Sequence, residues 1–422
     1  MTHLPEPDLL DRLLRAVPRL ERPVMLLESG AAHGILRLAW GDDPNRAPRS
    51  APAGFDRLGE LDWGPTRYGF LSYEVGLPPW AARKPPLLEH AATSFFHPMH
   101  EIHVDLVTGS LLTATDGAMD VVTNGSGTTT PTEPAVPPRT VERVRSFRKD
   151  EFELAVSRAK NHIAAGDVYQ VNLSVGHLYD TDLDPWAAYL RLRHINPSPW
   201  MGFADFGDWQ IVSGSPELLV AVDCATRTVR TRPIAGTRKK TGDAERDLLM
   251  RSELHLDDKE QAEHLMLVDL ARNDIGRMVE YGSLEVSELA VIEEYSHVFH
   301  LVSEVRGTLR SGFDPPDVLR SIFPCGTITG VPKIRAMEVI SDLEPCGRLG
   351  YTGGLGWVGE SGMQFNILIR TAVFRGGQVV VQAGAGIVWD SVPEREWYES
   401  LRKARAVMEA LAVVNDAQGT VG

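Results

Sequence analysis

Apolar and polar positions recur along this chain with two periods. Near the start, Leu9, Leu10, Leu13, Leu14 and Val17 repeat at helical spacing and predict an amphipathic helix. Alternation by twos follows in "RYGFLSYEV" (67–75) and "EIHVDLV" (101–107), which read as strands of a half-exposed sheet. Later, "FNILIRTAVF" (365–374) and "QVVVQAGAGIV" (378–388) are apolar enough for strands of a mostly buried sheet. Read as one strand, the first of these sends Phe365, Ile367 and Ile369 to one face and Asn366, Leu368 and Arg370 to the other. The last clear element, 393–414, reads as a helix that opens at Pro393 behind the capping candidate Ser391. Trp397, Leu401, Ala404, Met408 and Leu411 form its core stripe, while Glu396, Glu399 and Lys403 form a second, displaced stripe.

Between these patterned regions, "TNGSGTTTPTEPAVPPRT" (123–140) is small, polar and proline-rich, so it buries too little apolar surface to offset ordering. It reads as a linker between an N-terminal lobe (1–122) and a larger catalytic domain (141–422). Strand and helix signals alternate after it, without the repeated strand, glycine turn and helix of a doubly wound fold.

Composition narrows the function. A net charge of −14 over 422 residues disfavours unspecific binding to nucleic acid or to an anionic membrane. A small molecule or another protein is the expected partner. The three cysteines, Cys224, Cys325 and Cys346, are too few and too scattered for a disulfide framework, which fits a reducing cytoplasm. No run reaches the roughly 18 apolar residues of a membrane span, and the N-terminus lacks the basic start and apolar core of a signal.

The candidate chemistry lies after the linker. Two helical segments carry Glu-x-x-Glu: Glu260 with Glu263 in "KEQAEHLML" (259–267), and Glu396 with Glu399. Either pair alone is most often a solvated surface. If the two faces converge, four carboxylates need a cation, and oxygen-only ligands with positions left for water or substrate suit Mg²⁺. In "SGSPELLV" (213–220), Glu217 stands at a strand start, either an exposed edge carboxylate or a general acid with a raised pKa. His297 and His300 in "YSHVFHLV" are either buried structural residues or handle protons. Gly384, Ala385 and Gly386 allow close approach of backbone to an anion, or simply a tight bend. Arg370, in an apolar strand, calls for an anionic partner. "FPCGTITGVPK" (323–333) departs from a nucleotide-binding phosphate loop. The histidines of "FHPMHEIH" (96–103) alternate across a strand and do not read as a zinc site.

Ten motifs in register resemble the chorismate-utilising enzymes, which make anthranilate, aminodeoxychorismate, isochorismate or salicylate. They are "GDVYQVNLS", "NPSPW", "SGSPELL", "RPIAGTR", "AEHLMLVDLARNDIGR", "YSHVFHLVSEVRG", "GTITGVPKIRAMEVI", "GYTGGLGW", "FNILIRT" and "QAGAGIVWDSVPEREWYES". "VMLLESG" (24–30) and "GFLSYEVG" (69–76) extend the likeness into the N-terminal lobe. The resemblance implies an α+β fold in which two large, mostly antiparallel sheets pack face to face, with helices outside and the active site in the cleft between them. It implies that Glu263 and Glu399 hold Mg²⁺, supported by Glu260 and Glu396, and that Glu217 is the acid for the C4 hydroxyl of chorismate. His300 and Thr327 would line the ring. Tyr351, Arg370, Lys403, the Gly386 amide and the backbone of Gly236 and Thr237 would hold the carboxylates.

Water-using members place a lysine base where this chain has Gln170, which favours ammonia as nucleophile. Many aminodeoxychorismate synthases have a lysine in "PIKGT" where this chain reads "PIAGT" with Ala235, as anthranilate synthases do. "VYQVNLS", "FPCG", "GYTGGLGW" and "MQFNILIRT" look more like the former, so aminodeoxychorismate is the expected product and anthranilate the alternative. The sequence holds no glutamine amidotransferase signature, so ammonia is expected from a separate glutaminase subunit in a heterodimer. A catalytically idle, regulatory relative is the reading from a different class; it would be expected to have lost Glu217, Glu263, Glu399 or His300, and all are present.

Overall fold

The computed structural model describes residues 7–29, 34–42, 66–124, 138–295 and 297–413; most of the expected linker lies outside them. Among the described residues the frame is two antiparallel sheets. The larger has eleven strands and runs from Gly330–Val331 through Gln170–Thr181, Gln378–Ile387, Thr371–Arg375, Trp209–Ser215, Trp200–Asp205, Val24–Glu28, Ile35–Asp42 and Pro98–Asp105 to Leu111–Ala114. The smaller has nine and includes Ile234–Lys239, Val298–Thr308, Leu218–Asp223, Gly362–Ile367, Gly354–Gly359, Arg67–Leu71 and Thr93–Phe96. Residues before the expected linker therefore supply strands to both sheets.

The sheets face each other, as an α+β fold with helices outside requires. Met25, Leu27, Trp209, Ile211 and Val373 of the larger sheet pack against Tyr68, Phe70, Phe96, Leu355 and Trp357 of the smaller. The unbroken apolar run "VMLL" is explained by burial on both faces. Met25 and Leu27 point between the sheets, whereas Val24 and Leu26 lie under the helices Pro185–Ile195 and Pro393–Ala410. Each such side chain contributes about 1.5–3 kcal/mol of burial. Helices Lys149–Ala164 and Lys333–Leu343 cover the Gln170 end of the larger sheet, and Asp258–Gly276 with Pro315–Ile322 covers the smaller.

Three expectations need correction. The run 365–374 is two strands in different sheets, Gly362–Ile367 and Thr371–Arg375. Leu368, Ile369 and Arg370 carry the chain across, and Arg370 has φ of +52°. The apolar pattern continues because Ile367 meets the outer core and Leu368 the layer between the sheets. Second, the strand expected over 67–75 ends at Leu71, and Tyr73–Gly76 form a 3-10 turn. Third, Ser391 does not cap the last helix: its hydroxyl accepts from the Val388 amide at 3.1 Å, and Val392 holds the cap position. That helix ends at Ala410. The N-terminal helix spans Pro7–Ala16, with Leu9 and Leu13 buried.

Candidate active site

The chain passes between the sheets at Pro216–Glu217, between the strands Trp209–Ser215 and Leu218–Asp223, and again at Leu368–Arg370. Both crossings border a cavity of about 180 Å³. Its walls include Gln170, Glu217, Ala235, Gly236, Thr237, Glu263, His300, Thr327, Tyr351, Arg370, Gly384, Gly386 and Lys403. Residues separated by over two hundred positions in the chain thus meet in one cleft. Ala385 does not: strand alternation turns it into the core with Leu173 and Ile387. Glu260, Glu396 and Glu399 stand outside these walls.

Glu217 is buried and accepts from the Thr327 hydroxyl at 2.8 Å. Burial pushes its carboxyl up to about 7, against the opposing pull of Thr327 and of the Lys403 and Arg370 charges. It is a half-protonated acid at neutral pH. His300 is also buried, and its Nδ1 lies 3.0 Å from the Gly236 carbonyl oxygen and 3.0 Å from the Thr237 hydroxyl. A carbonyl only accepts, so Nδ1 carries the proton and Nε2, buried with no partner, is left as an acceptor. Burial, with help from Arg370, lowers this imidazole to about 4, so it is neutral.

The contact to Gly236 depends on a bulge. Pairing of Ile234–Lys239 with Val298–Thr308 shifts between Ala235 and Thr237, and Gly236 has φ of +63°. A Cβ there would stand 3.1 Å from Glu260 Oε2, which places that carboxylate beside the bulge.

Glu263 lies one turn into the helix Asp258–Gly276. Asp257 caps that helix by accepting from the Lys259 and Glu260 amides, each at 3.1 Å. Burial and the neighbouring Glu260 raise the Glu263 carboxyl, and Gln170 donates to its Oε1 at 3.1 Å. Glu399, half-buried on the helix Pro393–Ala410, lies 3.6 Å from Lys403 Nζ. Among the described residues no three His, Cys, Asp or Glu side chains gather closely enough to hold a metal. The four carboxylates therefore do not form a protein cage. A hard Mg²⁺ needs only one or two carboxylates and takes water and substrate for the rest, and Glu263, partly buried and repelled by Glu260, carries negative charge that such an ion would offset.

Sequence reasoning missed Asn172, Ile234, Ile328 and Ile369, which also line the cleft. Asn172 was findable: it stands two residues from Gln170 on the same strand face. Among the candidates set aside, His103 pairs with Glu101 and Arg37. His297, expected to be buried or to handle protons, is instead exposed and lies 2.8 Å from the Ile195 carbonyl oxygen. The three cysteines are free thiols.

Two sheets enclosing an acid, a neutral imidazole and two cations define a small-molecule enzyme cleft. Over residues 42–409 the chain matches the chorismate binding enzyme family, and it belongs to that family. It is 50% identical over 266 residues to aminodeoxychorismate synthase component 1 of Bacillus subtilis (strain 168), covering 63% of this chain and 56% of that one. It is 48% identical over 274 residues to anthranilate synthase component 1 of Aquifex aeolicus (strain VF5), covering 65% and 55%. The matches span little more than half the length of these curated relatives. Anthranilate synthase component I from Streptococcus pneumoniae TIGR4 shares the fold with a TM-score of 0.74 at 30% identity, over 92% of this chain and 91% of that chain. No helix among the described residues is long and apolar enough to cross a membrane.

Proposed function

We propose that this chain aminates chorismate to 4-amino-4-deoxychorismate in a Mg²⁺-dependent reaction of the p-aminobenzoate branch of folate synthesis, with ammonia from a separate glutamine amidotransferase subunit. The observation that carries the reading is Glu217, a buried acid at about 7 held by Thr327 in a cleft shared with Arg370 and Lys403. A dianionic substrate supplies the negative charge that Arg370 has at no contact distance, and an acid protonated near neutrality delivers the proton that a departing hydroxyl needs.

In this reading Arg370 and Tyr351 hold the enolpyruvyl carboxylate with the Gly386 amide, and Lys403 adds charge. His300, neutral, accepts at Nε2 and orders the ring. Glu217 gives its proton to the C4 hydroxyl, which leaves as water while ammonia or water adds at C2. Ammonia then adds at C4 and expels the C2 group, for a net exchange of hydroxyl for amine. Glu263 and Glu399 would hold Mg²⁺, backed by Glu260 and Glu396; the ion would supply Lewis-acid pull on the ring carboxylate.

Anthranilate formation is the second reading. Ala235 supports it, and so does a second cavity of about 740 Å³ whose walls include Glu28, Ser29 and Pro197 to Trp200. Those walls carry part of "LLES" (26–29) and "NPSPWM" (196–201), which resemble half of a tryptophan-feedback pocket; the Arg-Tyr-Ser that completes the likeness does not follow the first. The deciding experiment incubates the purified chain with chorismate, Mg²⁺ and ammonium at mildly alkaline pH, with and without aminodeoxychorismate lyase. p-Aminobenzoate only with lyase supports the first reading; fluorescent anthranilate without it overturns that reading.

A further inference from the structure

Behind the cleft wall, outside the residues that line the cavity, sits Arg348, a guanidinium with almost no solvent exposure. Its Nη1 donates to the Ile328 carbonyl at 3.0 Å, and its Nη2 to the Asn172 carbonyl at 2.8 Å. Nε and Nη2 also grip Glu344, at 2.9 and 2.6 Å. Glu344 in turn accepts from the Ser174 amide at 2.8 Å. The guanidinium carbon lies 5.5 Å from the Tyr351 ring centroid, and Glu74 fixes the Arg348 backbone amide at 2.7 Å. One planar cation thus ties together three strips of wall: the Thr327–Ile328 turn, the Gln170–Thr181 strand and the loop bearing Tyr351. Only a fork with several rigid donors spans that set; a lysine ammonium is a single point.

We propose that Arg348 is a positioning residue for the reaction, holding the Thr327 turn at the height where its hydroxyl meets Glu217. This rests on the reading of Glu217 as the acid. Ile328 is the residue after Thr327, so loss of its carbonyl anchor frees the hydroxyl that sets the carboxyl's orientation. Misplacement on the ångström scale costs about a hundredfold in rate.

The test is a double-mutant cycle of Arg348→Lys with Thr327→Val, assayed for chorismate consumption with ammonium and Mg²⁺, with melting followed in parallel. Expected is a kcat loss of about tenfold to a hundredfold for R348K in the wild-type background, with a chorismate KM changed far less. In the T327V background R348K should cost less than about threefold, because its route to Glu217 is already cut. Additive losses, or an R348K enzyme with unchanged kcat, overturn the proposal. If R348K does not fold, Glu344→Gln loosens the same anchor and should show the same non-additivity with T327V, smaller in size. Carbon-13 titration of the Glu217 carboxyl reads the coupling without turnover: R348K should move it upward, and should leave it unmoved once Thr327 is valine. A wild-type chain that consumes no chorismate sinks the proposed function, while this titration still decides the role of Arg348.

Discussion

The carbonyl oxygen of Arg370 accepts from the amide of Gly214 at 3.0 Å. Its counterpart runs the other way along the same seam, from the Ile367 amide to the Glu217 carbonyl at 3.1 Å. The two crossings between the sheets are therefore bonded to each other, and each delivers one charged side chain into the cleft. Acid and cation are held by backbone rather than by an ion pair, so neither neutralises the other at contact distance.

Arg370 is predicted to be a stability liability kept for binding. Burial lowers its pKa, and among the described residues no carboxylate forms a contact ion pair with it; Tyr295 and Glu217 oppose the shift only from a distance. Arg370→Met keeps much of the stem and removes an unpaired charge, so the thermal midpoint should rise. Chorismate KM should rise by about tenfold to a hundredfold, the worth of a charge-assisted hydrogen bond. Calorimetry and steady-state kinetics on one preparation check both signs. A variant that is both weaker in binding and less stable would contradict the account.

Glu217 sets a pH dependence of activity and of stability. In the proposed reaction it must be protonated, so kcat/KM for chorismate, measured at constant free ammonia, should fall as pH rises through about 7. Its folded pKa is raised, so its contribution to stability is fully present below about 4.5 and is lost as pH rises through about 7. The full swing is on the order of 3 kcal/mol. Glu217→Gln should lose about 10²- to 10⁴-fold in kcat and gain stability relative to wild type above that pH. Denaturant melts of both proteins at pH 5 and pH 8 give the comparison.

How far these residues could be read from the chain depends on their spacing. Glu260 and Glu263, one turn apart before an apolar run, announced a helix with an acidic face, and the helix Asp258–Gly276 carries it. The paired sheets and the outer helices followed from motifs in register. Periodicity misread 365–374 because a chain buried on both sides of a crossing shows no polar break, and only Arg370 and its positive φ mark the bend. Ser391 looked like a cap by position, but its hydroxyl was already engaged by Val388. Arg348 and Glu74 were invisible as site residues, since their effect passes through carbonyls and amides that have no sequence signature.

His300 should be a neutral Nδ1–H tautomer under all assay conditions. Nitrogen-15 spectra should show Nδ1 protonated and Nε2 bare at pH 6, with charging only as pH falls toward about 4. Because its folded pKa is depressed, the stability it contributes is present above about 6.5 and is lost as pH falls through about 4. His300→Phe, which keeps a ring but offers no acceptor, should lower kcat by about tenfold to a hundredfold. A cationic His300 at pH 6 would reverse the assignment of Nε2 as acceptor.

Gly384 and Gly386 look equivalent in "QAGAGIV" but should respond differently to alanine. A Cβ on Gly386 would fall 2.4 Å from Gln170 Nε2, the far end of a flexible side chain that can swing away. On Gly384 it would fall 2.4 Å from the Leu173 carbonyl oxygen, which is fixed by ten registered pairs between Gln378–Ile387 and its neighbour. Gly386→Ala should therefore fold with near-normal stability but detach Gln170 from Glu263. With Glu263 as the proposed Mg²⁺ ligand, the signature is a requirement for about tenfold more Mg²⁺, the scale of losing a partner that orients a metal ligand. Gly384→Ala should instead lose about 1–3 kcal/mol of stability from overpacking. Magnesium titrations of activity, with EDTA abolishing turnover at their zero point, and thermal melts separate the two variants. Equal damage from both would mean that the Gln170 side chain is as immovable as the backbone beside it.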